Sequence, residues 1–303
     1  MNGIVIGLRW GGVGANEIAG SLPGATSLNL WNLTSRLDRA LMRSPFENFV
    51  AHQRLRQEVT SHHGHTHEFE WMLVTCPHRL TVATAKALSE HTARFVALLG
   101  DDPRGPREIN RDVLDQFTLV SLADPGWRQS LPPSTPVTVE PWRSTLPALH
   151  STPTLTYRPE TVAFVGSPYA ERTELLKKMT PHFPIITIGS WPLVDGAQQY
   201  PPASRSETIS LLRHQRALVI NMHHSQFTTG LNPQFFDYAI SGIPQVLAHA
   251  HSDSFYLPDL VNPWSVTVAD PLEDAVFDAN SDLFQLNPEK LHFRRTAEAL
   301  VTL

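Results

Sequence analysis

The sequence predicts an α/β protein built from two successive parallel sheets, and three observations support this fold class. Short apolar runs recur with helical stretches between them, the series restarts near residue 161, and a proline-rich segment separates the two halves. Parallel strands need crossover connections and are buried on both faces, so apolar runs alternate with helices in such sheets. We therefore expect two Rossmann-like domains, residues 1–145 and residues 146–303.

Each half supplies five apolar runs that we predict to be strands. In the first half they are residues 3–8, 71–75, 94–100, 117–123 and 137–142. In the second half they are residues 161–166, 184–189, 217–222, 244–249 and 265–270. Four prolines in residues 141–160 break regular structure, which predicts an interdomain linker. Open α/β sheets bind ligands at the carboxyl ends of their strands, so we expect the two domains to face each other across a ligand-binding cleft.

Composition narrows the class of protein. The 303 residues, 41% hydrophobic and 17% charged, are typical of a soluble globular chain with two cores. A net charge of -5 gives no overall attraction to nucleic acid or to an anionic membrane. The single cysteine cannot form an internal disulfide, and no apolar run approaches the roughly 18 residues that span a bilayer. We expect a cytoplasmic protein without stable membrane insertion.

A glycine-containing turn in the second half has the form of an anion site. Gly166, Ser167 and Pro168 follow a predicted strand and precede an amphipathic helix. Glycine lets the backbone approach a phosphate, and the helix N-terminus adds N–H groups and a positive dipole end. Arg172, near the start of that helix, would add a permanently charged fork. The alternative is a tight turn with a solvated arginine.

Several ordered segments together resemble one enzyme family. "LLGDDP", "VAFVGSPYAERTELLKKM", "LVINMHHS" and "GLNPQFFDYAISGIPQVL" are similar to the signature segments of the CgeB-like glycosyltransferases, a branch similar to the group 1 transferases of GT-B fold. The segment "WGGVGANEIA" resembles the glycine-rich first loop of many GT-B transferases, and it contains Gly11, Gly12 and Gly14. The resemblance implies a GT-B fold and a nucleotide-sugar donor.

The resemblance also implies a donor-binding set. Asp237 corresponds to the acid whose carboxylate accepts hydrogen bonds from the donor's ribose hydroxyls, and the alternative is a residue on the helix surface. The other implied donor-binding residues are Gly166, Ser167, Arg172, Asn221, His223, Gly230, Leu231 and Asn232. This sequence departs from the family pattern in two places: Thr229 stands where a second acid is frequent, and Asp237 is shorter than the usual glutamate.

Two further groups are candidates for chemistry. Asp101 and Asp102 follow a predicted strand of the first domain, where a carboxylate could deprotonate or orient an acceptor hydroxyl, or cap a helix. The histidine-rich residues 61–68 could bind Zn²⁺ or Ni²⁺, could contact the acceptor, or could form a polar loop rich in histidine by chance. No Cys ligand or helical His pair supports a metal site, so we predict none.

These observations lead to two functional hypotheses. The first is a hexosyl- or pentosyltransferase without a cofactor, which moves sugar from a nucleotide-diphosphate-sugar, expected to be a UDP-sugar. Its acceptor hydroxyl would belong to a glycan, a protein, a small molecule or a modified nucleobase. The alternative is a catalytically weak GT-B-like accessory protein that binds nucleotide or glycan, which the threonine at position 229 favours.

Overall fold

A computed structural model describes two compact units of the chain. The described residues are 3–7, 15–29, 53–55, 57–59, 69–75, 77, 80–100, 109–140, 144–146, 160–222, 232–243 and 245–248. Those up to Thr145 belong to the first unit, and Leu146 and the described residues from 160 onward belong to the second. Each unit contains one parallel sheet.

The first unit has a six-stranded sheet with the strand order β2-β1-β3-β4-β5-β6. Its strands are β1 (Gly3–Gly7), β2 (Ala25–Asn29), β3 (Trp71–Thr75), β4 (Phe95–Leu99), β5 (Leu119–Leu122) and β6 (Val137–Val139). Its named helices are α1 (Ala15–Gly20), α2 (Val82–Ser89) and α3 (Arg111–Leu114), with a 3₁₀ helix at Pro125–Ser130. The central strands β1, β3 and β4 are buried along their whole length.

The second unit has a five-stranded sheet with the strand order β11-β10-β7-β8-β9. Its strands are β7 (Thr161–Val165), β8 (Ile185–Ile188), β9 (Ala197–Tyr200), β10 (Ala217–Met222) and β11 (Gln245–Ala248). Its named helices are α4 (Ala170–Met179), α5 (Arg205–His214) and α6 (Pro233–Ile240). Every registered strand pair in the two sheets is parallel.

The apolar runs were reliable guides to the strands inside the sheets. Every predicted strand that falls on described residues is present, and residues 265–270 lie outside them. Two strands escaped the sequence pattern, β2 and β9, and each lies at an edge of its sheet. Their sequences, ATSLN and AQQY, alternate small or polar residues with few apolar ones, and most of their side chains are exposed or half-buried. An edge strand covers less of the core, so its sequence carries a weaker apolar signal.

Candidate functional site

Two glycines shape the carboxyl-terminal edge of the second sheet. Gly166 and Gly189 follow β7 and β8 directly, and both have positive φ, 103° and 137°. A Cβ on Gly189 would lie 2.4 Å from the carbonyl oxygen of Gly166, so no other residue fits there. A Cβ on Gly166 would lie 3.3 Å from Nη1 of Arg172 and 3.7 Å from Nε2 of Gln234. Gly166 thus lets donor groups from α4 and α6 lie close to the turn after β7.

Arg172 connects the turn after β7 to the end of β10. Its Nη1 donates to the carbonyl oxygens of Val165 at 3.3 Å and Ser167 at 3.2 Å, and its Nη2 donates to that of Met222. The guanidinium also lies over the Tyr169 ring, with Cζ 5.3 Å from the centroid. Burial lowers the pKa of the Arg172 guanidinium, but an arginine stays protonated at neutral pH. Arg172 is thus half-buried and bonded to backbone carbonyls, and its positive charge is fixed beside Gly166.

Three buried amide side chains form a cluster at the start of α6. Asn232 Nδ2 donates to Asn221 Oδ1 at 2.7 Å, and Asn221 Nδ2 donates to Gln245 Oε1 at 3.0 Å. Gln245 Nε2 donates in turn to the Phe235 carbonyl at 3.0 Å. Asn232 is also the N-cap of α6, because its Oδ1 accepts from the backbone N–H of Phe235 at 2.9 Å. The cluster, which we call the amide cluster, fixes where α6 begins relative to β10 and β11.

Asp237 belongs to the buried face of α6. The whole residue is only 7% exposed, so the helix-surface alternative is wrong. Its neighbours Phe235, Phe236 and Ile240 are buried as well. The carboxylate accepts hydrogen bonds from Arg205, the first residue of α5: Nε donates to Oδ2 at 2.9 Å, and Nη2 donates to Oδ1. A side-on fork of this kind is the strongest arrangement of an arginine and a carboxylate.

The charges of Asp237 and Arg172 both act on the pKa of Tyr238. Burial raises the pKa of its phenol well above the ordinary value, and the negative charge of Asp237 raises the pKa further. The positive charge of Arg172 acts in the opposite direction. The phenol therefore stays protonated at neutral pH and is not a general base.

Solved structures resemble this chain over its whole length. An α,α-trehalose-phosphate synthase (UDP-forming) from Burkholderia xenovorans, in complex with glucose-6-phosphate, has a TM-score of 0.57 at 12% identity, with 99% of this chain and 96% of that chain covered. AviGT4, a glycosyltransferase involved in avilamycin A biosynthesis, has a TM-score of 0.53 at 14% identity, with 99% and 93% covered. The chain has an α/β GT-B fold.

A third solved structure contains UDP-2-fluoro glucose. It is a trehalose-6-phosphate protein from E. coli bound with UDP-2-fluoro glucose, at a TM-score of 0.50 and 11% identity, with 100% of this chain and 96% of that chain covered. No protein-family model matches the sequence, and no curated protein matches it. The narrower CgeB-like resemblance therefore stays a prediction.

The structure groups some of the predicted site residues of the GT-B fold and leaves others undescribed. Gly166, Ser167 and Arg172 lie together, and Asn221 contacts Asn232. Some predicted residues lie outside the described ones: Gly11, Gly12, Gly14, Asp101, Asp102, His223, Gly230 and Leu231. The histidine-rich segment 61–68 also lies outside them. Their roles stay predictions.

Three residues of this region escaped the sequence analysis: Arg205, Gln234 and Gln245. Arg205 follows Ser204 within a Ser-x-x-Glu sequence that is typical of a helix start, and this signal was readable. Gln245 is a lone amide in an otherwise apolar predicted strand, which is a sign of a buried hydrogen bond. Nothing local marks Gln234, because its importance depends on the distant Gly166.

The described residues contain neither a candidate metal site nor a candidate membrane-spanning helix. They include no group of three His, Cys, Asp or Glu side chains arranged to hold a metal ion. None of the helices in this part of the chain has the length and apolarity needed to cross a membrane.

Proposed function

We propose that the chain is a glycosyltransferase that moves a sugar from a nucleotide-diphosphate-sugar to an acceptor hydroxyl. One observation carries the proposal: the turn at Gly166, where Arg172 Nη1 and Gln234 Nε2 lie 3.3 and 3.7 Å from the position that a Cβ would occupy. The starts of α4 and α6 adjoin this turn, and helix N-termini favour a diphosphate. The GT-B fold supports the same conclusion, because solved neighbours of that fold include a glycosyltransferase and a UDP-forming synthase.

In this proposal the second unit holds the donor and the first unit holds the acceptor. The departing diphosphate gains negative charge as the sugar leaves. Hydrogen-bond donors that are already in place around Gly166, together with the positive charge of Arg172, stabilise that negative charge. Asp237 accepts hydrogen bonds from the ribose hydroxyls, and Asp101 or Asp102 contacts the acceptor. A UDP-sugar is the expected donor, since one solved neighbour is bound with UDP-2-fluoro glucose.

Calorimetric titration with UDP, GDP and dTDP tests the donor site, and Gly166→Ala is the diagnostic variant. The added methyl group would lie 3.3 Å from Arg172 Nη1 and displace it, so we expect the affinity for the preferred diphosphate to fall about tenfold or more. Gly196→Ala is the matched control. Gly196 also has a positive φ, 82°, but its Cβ would meet only Thr180, 3.6 Å away. It precedes β9, at the opposite edge of the sheet, and its substitution should leave the affinity unchanged.

Slow hydrolysis of the matching nucleotide-sugars distinguishes a transferase from an accessory protein. A transferase that holds its donor in a reactive geometry passes some sugar to water and releases free sugar and diphosphate. Diphosphate binding without any release of sugar supports the accessory protein instead. A wild-type chain that binds none of the three diphosphates would refute both hypotheses of nucleotide binding.

A further inference from the structure

The ion pair between Arg205 and Asp237 is a contact that the sequence did not predict. It joins α5 to α6 across 32 residues of chain. The Asp237 side chain is 9% exposed and the Arg205 side chain 25%, so solvent screens the pair less than it screens a surface pair. Both donor atoms belong to one planar guanidinium and both acceptor atoms to one planar carboxylate, so the contact fixes an orientation as well as a distance.

Arg205 has a well-defined origin on the backbone. It follows Ser204, the N-cap of α5, whose side chain accepts from the Glu207 backbone N–H at 3.3 Å. The Glu207 carboxylate accepts in return from the Ser204 backbone N–H at 2.8 Å. This reciprocal capping box satisfies two backbone donors and sets where the helix starts. The guanidinium therefore reaches Asp237 from a fixed first turn.

Asp237 has an equally fixed backbone and a less constrained side chain. The amide cluster fixes the start of α6, and the Ser241 backbone N–H donates to the Asp237 carbonyl at 3.2 Å. The final torsion of an aspartate is broad, so a helical backbone alone does not set the plane of the carboxylate. A pair of vicinal hydroxyls needs both oxygens in one defined plane. The Arg205 fork supplies that constraint.

We propose that Arg205 is the positioning residue that orients the Asp237 carboxylate toward the ribose hydroxyls of the donor. The inference rests on the proposed function, because it deepens the role of Asp237 in that site. A carboxylate has about four lone-pair directions, so a carboxylate that accepts from an arginine fork can in general accept from hydroxyl groups as well. A hydrogen bond to a carboxylate is charge-assisted and is stronger than one to a neutral acceptor.

A second arginine of α5 provides a matched control. Arg213 also ties α5 to α6, because its Nη2 donates to the Ser241 carbonyl at 2.6 Å. The two arginines thus connect the same pair of helices. Arg205 donates to the Asp237 carboxylate, whereas Arg213 donates to the Ser241 carbonyl. A purely mechanical role predicts that their substitution has similar effects on ligand binding. A positioning role predicts that only Arg205 affects discrimination of the ribose.

The experiment compares UDP with 2′,3′-dideoxy-UDP by calorimetry on the full chain. Wild type should prefer UDP by about tenfold or more, the effect of losing hydrogen bonds to a charged acceptor. Arg205→Lys keeps the charge and loses the planar fork, so the preference should fall to nearly equal binding while the dideoxy affinity stays unchanged. Arg213→Lys should keep the wild-type preference. In an Asp237→Asn background, Arg205→Lys should change the preference no further.

Each other outcome identifies what has failed. Full wild-type preference in Arg205→Lys would refute the positioning role, and equal losses for both ligands would reduce Arg205 to a structural contact. A wild type that binds both ligands equally would overturn the inference and leave the diphosphate site of the proposed function standing. A wild type that binds neither UDP nor the other diphosphates would overturn both. Thermal unfolding of each variant checks folding, and Arg205→Gln repeats the test should Arg205→Lys be unfolded.

Discussion

The two units use buried polar side chains differently. In the described part of the first unit they are Thr75, Thr84, Ser121, Asp124, Thr135 and Ser144. In the described part of the second they are Thr187, Thr208, Asn221, Asn232, Asp237, Ser241 and Gln245. The first set consists of hydroxyls and one carboxylate, whose Oδ1 accepts from the Gly126 backbone N–H at 2.7 Å. The second set includes three amides that bond to one another and a carboxylate bonded to an arginine.

The two parallel sheets are therefore stabilised by different kinds of buried contact. The first core is held by apolar packing, as in the stacked rings of Phe95 and Phe117, whose centroids lie 4.2 Å apart. In the second unit, the carboxyl-terminal edge depends on directional hydrogen bonds as well. Directional contacts fix positions more sharply than apolar contacts, and they cost more when one partner is left unsatisfied. We therefore expect substitutions at this edge to affect stability and ligand binding together.

The largest expected effect separates two asparagine N-caps, one in each unit. Asn110 caps α3 with Oδ1 2.9 Å from the Asp112 backbone N–H and is exposed. Asn232 caps α6 and also belongs to the amide cluster. Asn110→Ala should lower the free energy of unfolding by about 1 kcal/mol, the usual value of a cap. Asn232→Ala should lower it by about 2–4 kcal/mol, because buried amide groups also lose their partners.

Urea denaturation of both variants measures this difference. The slope of the free energy against urea should stay unchanged, so that the shift in midpoint reports stability. Equal losses at the two asparagines would mean that the amide cluster adds nothing beyond capping, and the contrast between the two units would disappear.

A smaller effect is expected at Arg172, where stability and anion binding can be told apart. Arg172→Ala leaves the carbonyl oxygens of Val165, Ser167 and Met222 without their charged donor, which should cost about 1–2 kcal/mol in unfolding free energy for a half-buried group. It also removes the positive charge beside Gly166. UDP affinity should fall about tenfold or more, and uridine affinity should change little.

Lys177→Ala is the control on the same helix. Lys177 forms an exposed pair with Glu174 at 3.1 Å, and such pairs contribute little to stability. Titration of UDP and uridine against both variants decides the outcome. Parallel losses for UDP and uridine in Arg172→Ala would assign the arginine to the shape of the turn and remove it from the phosphate site.

The sequence predicts the fold better than it predicts the site, for physical reasons visible in particular residues. Strands inside a parallel sheet are apolar on both faces, so β7 and β10 stand out in the sequence, whereas the edge strands β2 and β9 do not. Gly166 and Arg172 were recognisable because the turn and the following helix are local. The partner of Asp237 was not, since Arg205 lies 32 residues away on another helix. Contacts of that kind depend on tertiary packing, and no short pattern encodes them.

One expectation about Asp237 also changes with the structure. From the helical pattern alone, Asp237→Asn keeps the size of the side chain and should leave stability almost unaltered. The ion pair implies a loss instead, because the substitution removes the carboxylate charge that pairs with the half-buried Arg205 guanidinium. The effects of Asp237→Asn on stability and on the preference for UDP over 2′,3′-dideoxy-UDP must therefore be measured separately.

The smallest expected effect concerns pH and the capping box that starts α5. Hydrogen bonds from the Ser204 side chain and backbone lower the pKa of Glu207 below its ordinary value of 4.5. A depressed folded-state pKa means that the charged cap stabilises the fold above about pH 4.5 and that this contribution is lost as the pH falls through the folded-state pKa. Because Glu207 is fully exposed, solvent screening keeps the effect small.

Thermal unfolding of wild type and Glu207→Gln, followed from about pH 7 to about pH 3, tests the sign. Wild type should be the more stable at neutral pH, because glutamine accepts the Ser204 hydrogen bonds without a charge. The difference should shrink on the acid side, where the wild-type carboxyl also becomes neutral. In a Ser204→Ala background the side-chain bond is absent, so the difference should be smaller at every pH. A difference in thermal stability between wild type and Glu207→Gln that stays constant with pH would show that the charge of Glu207 contributes nothing to this cap. Uncharged hydrogen bonds alone would then fix the first turn of α5, from which Arg205 reaches Asp237.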